Sequence, residues 1–421
     1  MTSLGDVLDV PVDKLIAEHV APRAVLAPVA AAAARLDSVD LLRGLVMAIM
    51  ALDHVRDFLT YVRFAPEDMR HTYPALFFTR WITHFCAPVF FFLAGTAAYL
   101  SKKKGAALSD FLWKRGVWLM VLQFTILQFA WTFIPTPGSA TVIWALGACM
   151  VILAVLVRLP LVWVATIGVG TIALHNLLDG VSPASFGSWA GFWMTLHKPG
   201  PTSGLFVLYP LVPWFGVMAA GYAFGAILKK PEALRRRILV WLGAGMIATF
   251  VLLRATNLYG NPAQALAYSS SGDFAVQPSL ALTVISFFNV EKYPPSLQYI
   301  LMTLGPAILL LAWFEKIDLK RGLGRVFWDK LLVFGRVPMF YYTLHIYLAH
   351  LLAIASAYVF GQSAGWLWHG AFKFNRIPEG YGHGLPYVYF IWISVVVMLY
   401  FPCKWFALVK ARRKDWWLSY L

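Results

Sequence analysis

The stretch RLDSVDLLRGLVMAIMALDHVRDF, from Arg35 to Phe58, decides how this chain is read. Charges open it, an apolar run fills Leu45 to Leu52, and Asp53, His54, Arg56 and Asp57 close it. A carboxylate or an arginine at the centre of a bilayer costs roughly 2.5–3.5 kcal/mol on insertion scales. A helix with this pattern either turns its polar groups toward a protein interior or keeps them at the two membrane interfaces. In the second case Arg43 snorkels inward and the Asp/His/Arg group stays wet on the outside.

Composition sets the class. The 421 residues are 60% hydrophobic and 13% charged, with a mean hydropathy of +0.67. A soluble domain carries about twice that charged share. Apolar runs of around 20 residues recur, each long enough to cross a hydrocarbon core about 30 Å thick. The expected fold is therefore all-α, a polytopic membrane protein of about ten transmembrane helices around an internal cavity. The spans fall near 40–59, 75–100, 111–134, 141–157, 160–178, 205–228, 237–255, 296–315, 331–360 and 387–410. Residues 1–34 read as a cytoplasmic tail, 35–410 as one transmembrane domain and 411–421 as a basic cytoplasmic tail.

The formal charge of +15 suggests nucleic acid until its distribution is considered. With the N-terminus inside, KKKG (Lys102–Gly105), KKPEALRRR (Lys229–Arg237), EKIDLKRGLGRVFWDK (Glu315–Lys330) and KARRKD (Lys410–Asp415) all fall on the cytoplasmic side. That is the positive-inside pattern, and it places both termini inside. The excess charge is topological, and nucleic-acid binding is not needed to explain it. The segments 179–204, 256–295 and 361–386 then face outward, rich in Gly, Pro, Ser, Asn and aromatic residues. Cys86, Cys149 and Cys403 lie in apolar segments without CxxC spacing, which offers neither a disulfide framework nor a metal site.

Arg43 and His54 are eleven residues apart, so about 1100° of helical rotation puts them on one stripe roughly 16 Å apart along the axis. Met47 and Met50 lie near that stripe. Asp57, at i+3 from His54, is placed to orient the ring, and Arg56 to neutralise Asp53 and Asp57. Arg80 and His84, at i and i+4, face the same way on the second span. They serve either acceptor binding and thioester polarisation or a polar contact that closes the outer ends of helices one and two. His345 falls near the middle of the ninth span beside Tyr341, Tyr342 and Tyr347, and an intramembrane histidine usually faces an interior or a wet cavity. Arg336, about 13 Å below His345 by helical rise, is placed either to meet a phosphate or to anchor the helix.

Three motifs in order carry a family resemblance. RLDSVDLLRG…LDH (Arg35–His54) resembles the opening of the bacterial relatives of heparan-alpha-glucosaminide N-acetyltransferase. Its Arg-x10-His spacing is also similar to that of the type-3 membrane acyltransferases. RWITHFCAPVFFFLAGTAAYL (Arg80–Leu100) resembles the second helix of the same group, and FGRVPMFYYTLHIYLAH (Phe334–His350) its late G-[RK]-x-[SP]-x-x-x-Y-x-x-H helix. The resemblance implies an enzyme that takes an acetyl group from cytoplasmic acetyl-CoA and delivers it to an amine or hydroxyl on the far side of the membrane. It implies no permanently bound cofactor and no metal, with acyl-CoA as a substrate.

The resemblance leaves two histidines for the base. The heparan-modifying enzyme points to the loop before the second helix, where His71 stands; the type-3 acyltransferases point to His54, which we favour. Asp53 and Asp57 accompany it, and Arg80, His84, His345 and Tyr342 are the substrate-side candidates. For CoA phosphates the candidates are Arg43, Lys114, Arg115 and Arg336. Here the chain departs from the type-3 pattern, because FLWKRGVW (Phe111–Trp118) puts Trp118 where a second arginine is expected.

The expected partners are the bilayer, acyl-CoA and a glycan or other small acceptor, and a homodimer is compatible with the pattern. Trp189, Trp193, Trp366 and Trp368, in outer segments, are the carbohydrate-stacking candidates. The implied location is a bacterial cytoplasmic membrane. The competing class is a secondary transporter or a lipid or glycan flippase, in which intramembrane His, Asp and Arg relay protons.

Overall fold

The computed structural model describes residues 36–135, 138–202, 204–262, 271–317, 324–369, 377–413 and 415–419. The expected N-terminal tail, residues 1–34, and Arg35 lie outside the described residues. Seven described helices are long and apolar enough to cross a membrane, and the chain is a multi-pass membrane protein.

Helix α1 (Asp37–Leu59) is not among those seven, because of its charges. It is nevertheless largely interior, with Leu41, Ala51, Val55, Phe58 and Leu59 all at most 1% exposed. Helix α2 (Pro74–Leu100) includes a single 3-10 turn at Ile82–Phe85. Helix α3 begins as Gly105–Leu122, passes through a π-turn at Gln123–Leu127 and ends at Gln128–Thr132. Helices α4 (Val142–Leu156) and α5 (Leu161–Leu174) follow across a tight turn, because the ring of Pro160 cannot continue a helix.

A short helix α6 (Ala190–Leu196) precedes α7 (Leu211–Phe224) and α8 (Glu232–Thr256). Then come α9 (Leu280–Phe288), α10 (Leu297–Phe314), α11 (Arg325–Arg336), α12 (Pro338–Val359) and α13 (Leu385–Arg412). A three-stranded sheet of β1 (Ser139–Ala140), β2 (Gly200–Thr202) and β3 (Leu205–Val207) has the order β1-β3-β2. β1 runs parallel to β3, and β2 antiparallel to it.

Helix α1 packs against α2, α10, α11, α12 and α13, so the opening stretch is the hub of its neighbours. The apolar windows of α2 and α10 are each 72% buried inside the protein, against 17% for the α5 span and 22% for α8. Apolar surface left uncovered by protein is what a lipid-facing helix presents. The interior is thus built from α1, α2 and α10, and α5 and α8 form the lipid side.

Several boundaries differ from the expected spans. The expected 331–360 helix is broken at Val337, because a residue before proline is driven out of the helical region. Arg336 therefore ends α11 and does not lie a helical rise below His345. The expected 205–228 span begins as strand β3, and its helix starts only after Pro210. The segment 256–295, expected as an outer loop, holds helix α9. Helix α13 continues to Arg412, two residues past the expected domain end.

Candidate active site

The polar end of α1 is buried and paired. Arg56, 2% exposed, places Nη2 2.9 Å from Asp53 Oδ1 and 2.5 Å from Asp57 Oδ1. Arg80 on α2 also reaches Asp53, and its Nε donates to Glu67 Oε1 at 2.8 Å. His84 Nε2 lies 3.4 Å from the same Glu67 oxygen. The neutralisation of Asp53 and Asp57 by Arg56 is as expected. Asp57 as an orienter of His54 is not: its carboxylate is taken up by Arg56. The ion pairs also tie α1, α2 and the 60–73 loop together, the polar contact that is one of the two roles open to Arg80 and His84.

His54 is oriented by a different group. Its Nδ1 stands 2.6 Å from Nε2 of His345, and the two rings lie edge to edge and 17° from parallel, with centroids 4.9 Å apart. The other nitrogen of His345, Nδ1, lies 3.1 Å from the Tyr341 carbonyl oxygen. A carbonyl can only accept, so in the neutral ring His345 Nδ1 carries the proton and Nε2 is an acceptor. His54 must then donate through Nδ1, which leaves the lone pair of His54 on Nε2. Trp131 (4.7 Å, edge-on) and Tyr342 (6.3 Å, edge-on) wall the ring. His350, by contrast, has both ring nitrogens at 2.9 Å from the carbonyls of Ala130 and Leu367 and stacks on Phe133 and Phe58.

A cavity of about 40 Å³ opens at this point, lined by Met50, Asp53, His54, Thr83, Cys86, Ala87, Phe90, Val142, Tyr209 and Lys292. It has room for one or two waters or a group of a few heavy atoms. Past the end of α1, a separate cleft of about 490 Å³ is lined by Tyr61, Val62, Arg63, Phe64, Gly380, Tyr381 and Gly382. Tyr381 Oη donates to the Phe58 carbonyl and the His383 amide to the Leu59 carbonyl, so orphan carbonyls at the end of α1 are satisfied by the segment before α13.

The remaining expected residues are scattered. His71 lies on the 60–73 loop with its side chain 56% exposed, its Nδ1 3.0 Å from Asp68 Oδ2. Arg70 and His71 both bond to Asp68 and hold its carboxyl below the usual range, Arg70 the more strongly. Burial pushes the neighbouring Glu67 carboxyl up, but the Arg80 guanidinium, helped by His84, outweighs it and holds Glu67 well below the usual value. Arg43 donates to Asp40 Oδ1 at 2.9 Å and to the Gly335 carbonyl at 3.1 Å, which fastens α1 to α11. Lys114 pairs with Asp110 at 2.9 Å, Arg115 lies 6.0 Å from the Phe111 ring centroid, and Arg336 pairs with Asp37 at 3.5 Å. Trp193 is buried with its Nε1 donating to the Val181 carbonyl, whereas Trp189 is 69% exposed.

Lys292, Glu67 and Tyr209 were missed by the sequence reading. The signal for Lys292 was present: Glu291 and Lys292 are adjacent charges at the end of a sparsely charged segment, just before an apolar span. Among the described residues no cluster of three His, Cys, Asp or Glu side chains could hold a metal.

A family model described as heparan-alpha-glucosaminide N-acetyltransferase, catalytic, matches residues 35–257, more than half of the chain. No individual curated protein matches it. The matched segment covers α1 through α8 and so includes His54, the ion-paired end of α1 and Arg80, but stops short of Lys292 and His345. The chain belongs to the heparan-alpha-glucosaminide N-acetyltransferase catalytic-domain family.

Proposed function

We propose that this membrane acetyltransferase takes its acetyl group from cytoplasmic acetyl-CoA and delivers it to an amine or hydroxyl of an outward-facing glycan acceptor. In this reading it lies in a bacterial cytoplasmic membrane with both termini inside. The observation that carries the proposal is the Tyr341 carbonyl–His345–His54 chain, which leaves an unprotonated Nε2 on His54 beside a small cavity.

A thioester is already activated, so the enzyme must orient the reactants, take a proton from the acceptor and stabilise charge on the carbonyl oxygen. His54 Nε2 is the atom that takes the proton. His345 holds the ring in that tautomer and is a positioning residue. The 490 Å³ cleft over the end of α1, with Tyr61, Phe64 and Tyr381 around Arg63, has the size and lining of an acceptor site. Arg43, Lys114, Arg115 and Arg336 remain the candidates for the CoA phosphates.

Thiol release from acetyl-CoA by the purified protein is the test. His54→Asn is expected to lower it by about 10²–10⁴-fold, the usual contribution of a general base. His71→Ala is expected to keep it within about threefold of wild type, because that ring is outside the buried cluster. Normal turnover in His54→Asn moves the base to His71. Proton-coupled solute uptake without thiol release sinks the acyltransferase reading in favour of a transporter.

A further inference from the structure

Lys292 is the one cation in the cavity lining, and it lies beyond the segment that the family model matches. It is 7% exposed, and among the described residues its ammonium makes no hydrogen bond or ion pair. Its nearest aromatic contact is the Tyr293 ring, 5.2 Å to the centroid. A buried ammonium is expensive unless something balances it; Asp53 lines the same cavity and attracts it, but also pairs with Arg56 and Arg80.

The turn that presents Lys292 is fastened on several sides. The Ser296 amide donates to the Glu291 carbonyl at 2.9 Å, and the Tyr293 amide to Glu291 Oε1 at 2.7 Å. The Glu291 amide donates to Asn261 Oδ1 at 2.8 Å, and Asn289 Nδ2 to the Glu67 carbonyl at 3.0 Å. His175 Nε2 lies 2.9 Å from the Pro295 carbonyl oxygen. The backbone that carries Lys292 is thus fixed before any substrate arrives, and a preplaced cation is what electrostatic stabilisation of a transition state needs.

We propose that Lys292 is a catalytic residue that receives the carbonyl oxygen of the transferred acetyl group. The proposal rests on the acyl-transfer reading. The cavity is too small for a sugar ring and has the dimensions of an acetyl group, so what Lys292 faces is the reacting carbonyl. As the acceptor heteroatom bonds to the thioester carbon, the carbonyl π pair moves onto oxygen and the acceptor proton goes to His54 Nε2. Lys292 donates a hydrogen bond to that oxyanion and keeps its own proton. Collapse restores the C=O bond and breaks the C–S bond, and the departing thiolate takes the proton from His54.

The test is steady-state kinetics of full-length Lys292→Met with acetyl-CoA, reading thiol release, alongside wild type and His54→Asn. We expect kcat to fall about 10²–10³-fold, the usual effect of losing one oxyanion donor, with KM for acetyl-CoA within about threefold of wild type. Ethylammonium is expected to restore part of kcat in Lys292→Ala, and ethanol of similar size to restore none; a purely structural lysine would show no such difference. Wild-type kcat in a folded Lys292→Met overturns the role of Lys292 while leaving the base reading intact if His54→Asn is inactive. No thiol release by wild type overturns acyl transfer itself. If neither Lys292→Met nor Lys292→Ala folds, Lys292→Arg decides, because its larger head crowds a 40 Å³ cavity: a kcat at least about tenfold lower is expected, and wild-type kcat overturns the proposal.

Discussion

His54 Nδ1 on α1 lies 2.6 Å from His345 Nε2 on α12, two residues separated by most of the chain. The contact sets which nitrogen of His54 is basic, so in the proposed reaction His345 acts through His54. Replacing His345 with Leu removes the acceptor and frees the ring, and kcat is expected to fall by about 10²-fold with KM nearly unchanged. His345→Gln can still accept from His54 through Oε1 and is expected to recover part of that loss. Equal activity of the Leu and Gln variants in thiol-release assays would remove the tautomer argument.

Arg80 is the counter-ion for both Asp53 and Glu67. Arg80→Met strands the Glu67 carboxylate and leaves Asp53 with Arg56 alone, and breaking a buried pair from one side typically costs about 3–5 kcal/mol. A large fall in melting temperature in detergent is the expected result. The double variant Arg80→Met/Glu67→Gln is expected to recover part of it; melting as low as the single variant would show that Glu67 is not a partner that matters.

Acid should loosen the 60–73 loop before the helices. Glu67 and Asp68 are both held below their ordinary values, so each binds fewer protons folded than unfolded. Their stabilisation is present in full above about pH 5 and is lost as the pH falls below the ordinary values, near 4, toward the folded ones. Limited proteolysis of this loop in detergent, followed from pH 7 to pH 3, is expected to accelerate at the acid end. The Glu67→Gln/Asp68→Asn variant is expected to be cut faster at pH 7 and to change little with pH; equal protection of wild type at both pH values would contradict this.

Gly335 marks the closest approach of α11 to α1. A Cβ there would lie 1.9 Å from the Asp40 carbonyl oxygen, and one on Gly44 would lie 2.0 Å from the Leu331 carbonyl oxygen. Both obstacles are backbone, so a methyl group must push the helices apart. Gly335→Ala is expected to destabilise by at least the usual overpacking cost of about 1–3 kcal/mol and to displace Arg43, which donates to the Gly335 carbonyl. A melting temperature equal to wild type would mean that α11 is free to move away.

Much of the architecture was legible in the chain because a bilayer imposes length and polarity on every helix it contains. The α2, α4, α8 and α10 boundaries lie within a few residues of the apolar runs, and α8 reaches furthest beyond its run. The break at Val337 was signalled by the following proline but was overridden by apolar continuity across 331–360. The same continuity hid the start of α7, because β3 is as apolar as the helix that follows it.

The sequence by itself determined that the polar end of α1 needed company. Arg56 sits one turn from Asp53 and beside Asp57, and those contacts are local enough to be read from helical spacing. What His54 touches was decided only by tertiary structure: His345 was legible as an intramembrane histidine, but no spacing rule joins positions 291 residues apart. Lys292 reaches the cavity for the same reason, through a turn fixed by Asn261, Glu67 and His175 on three other segments. Periodicity reports which face of a helix is polar; which groups meet across that face depends on packing, and the tautomer and the local field follow from those meetings.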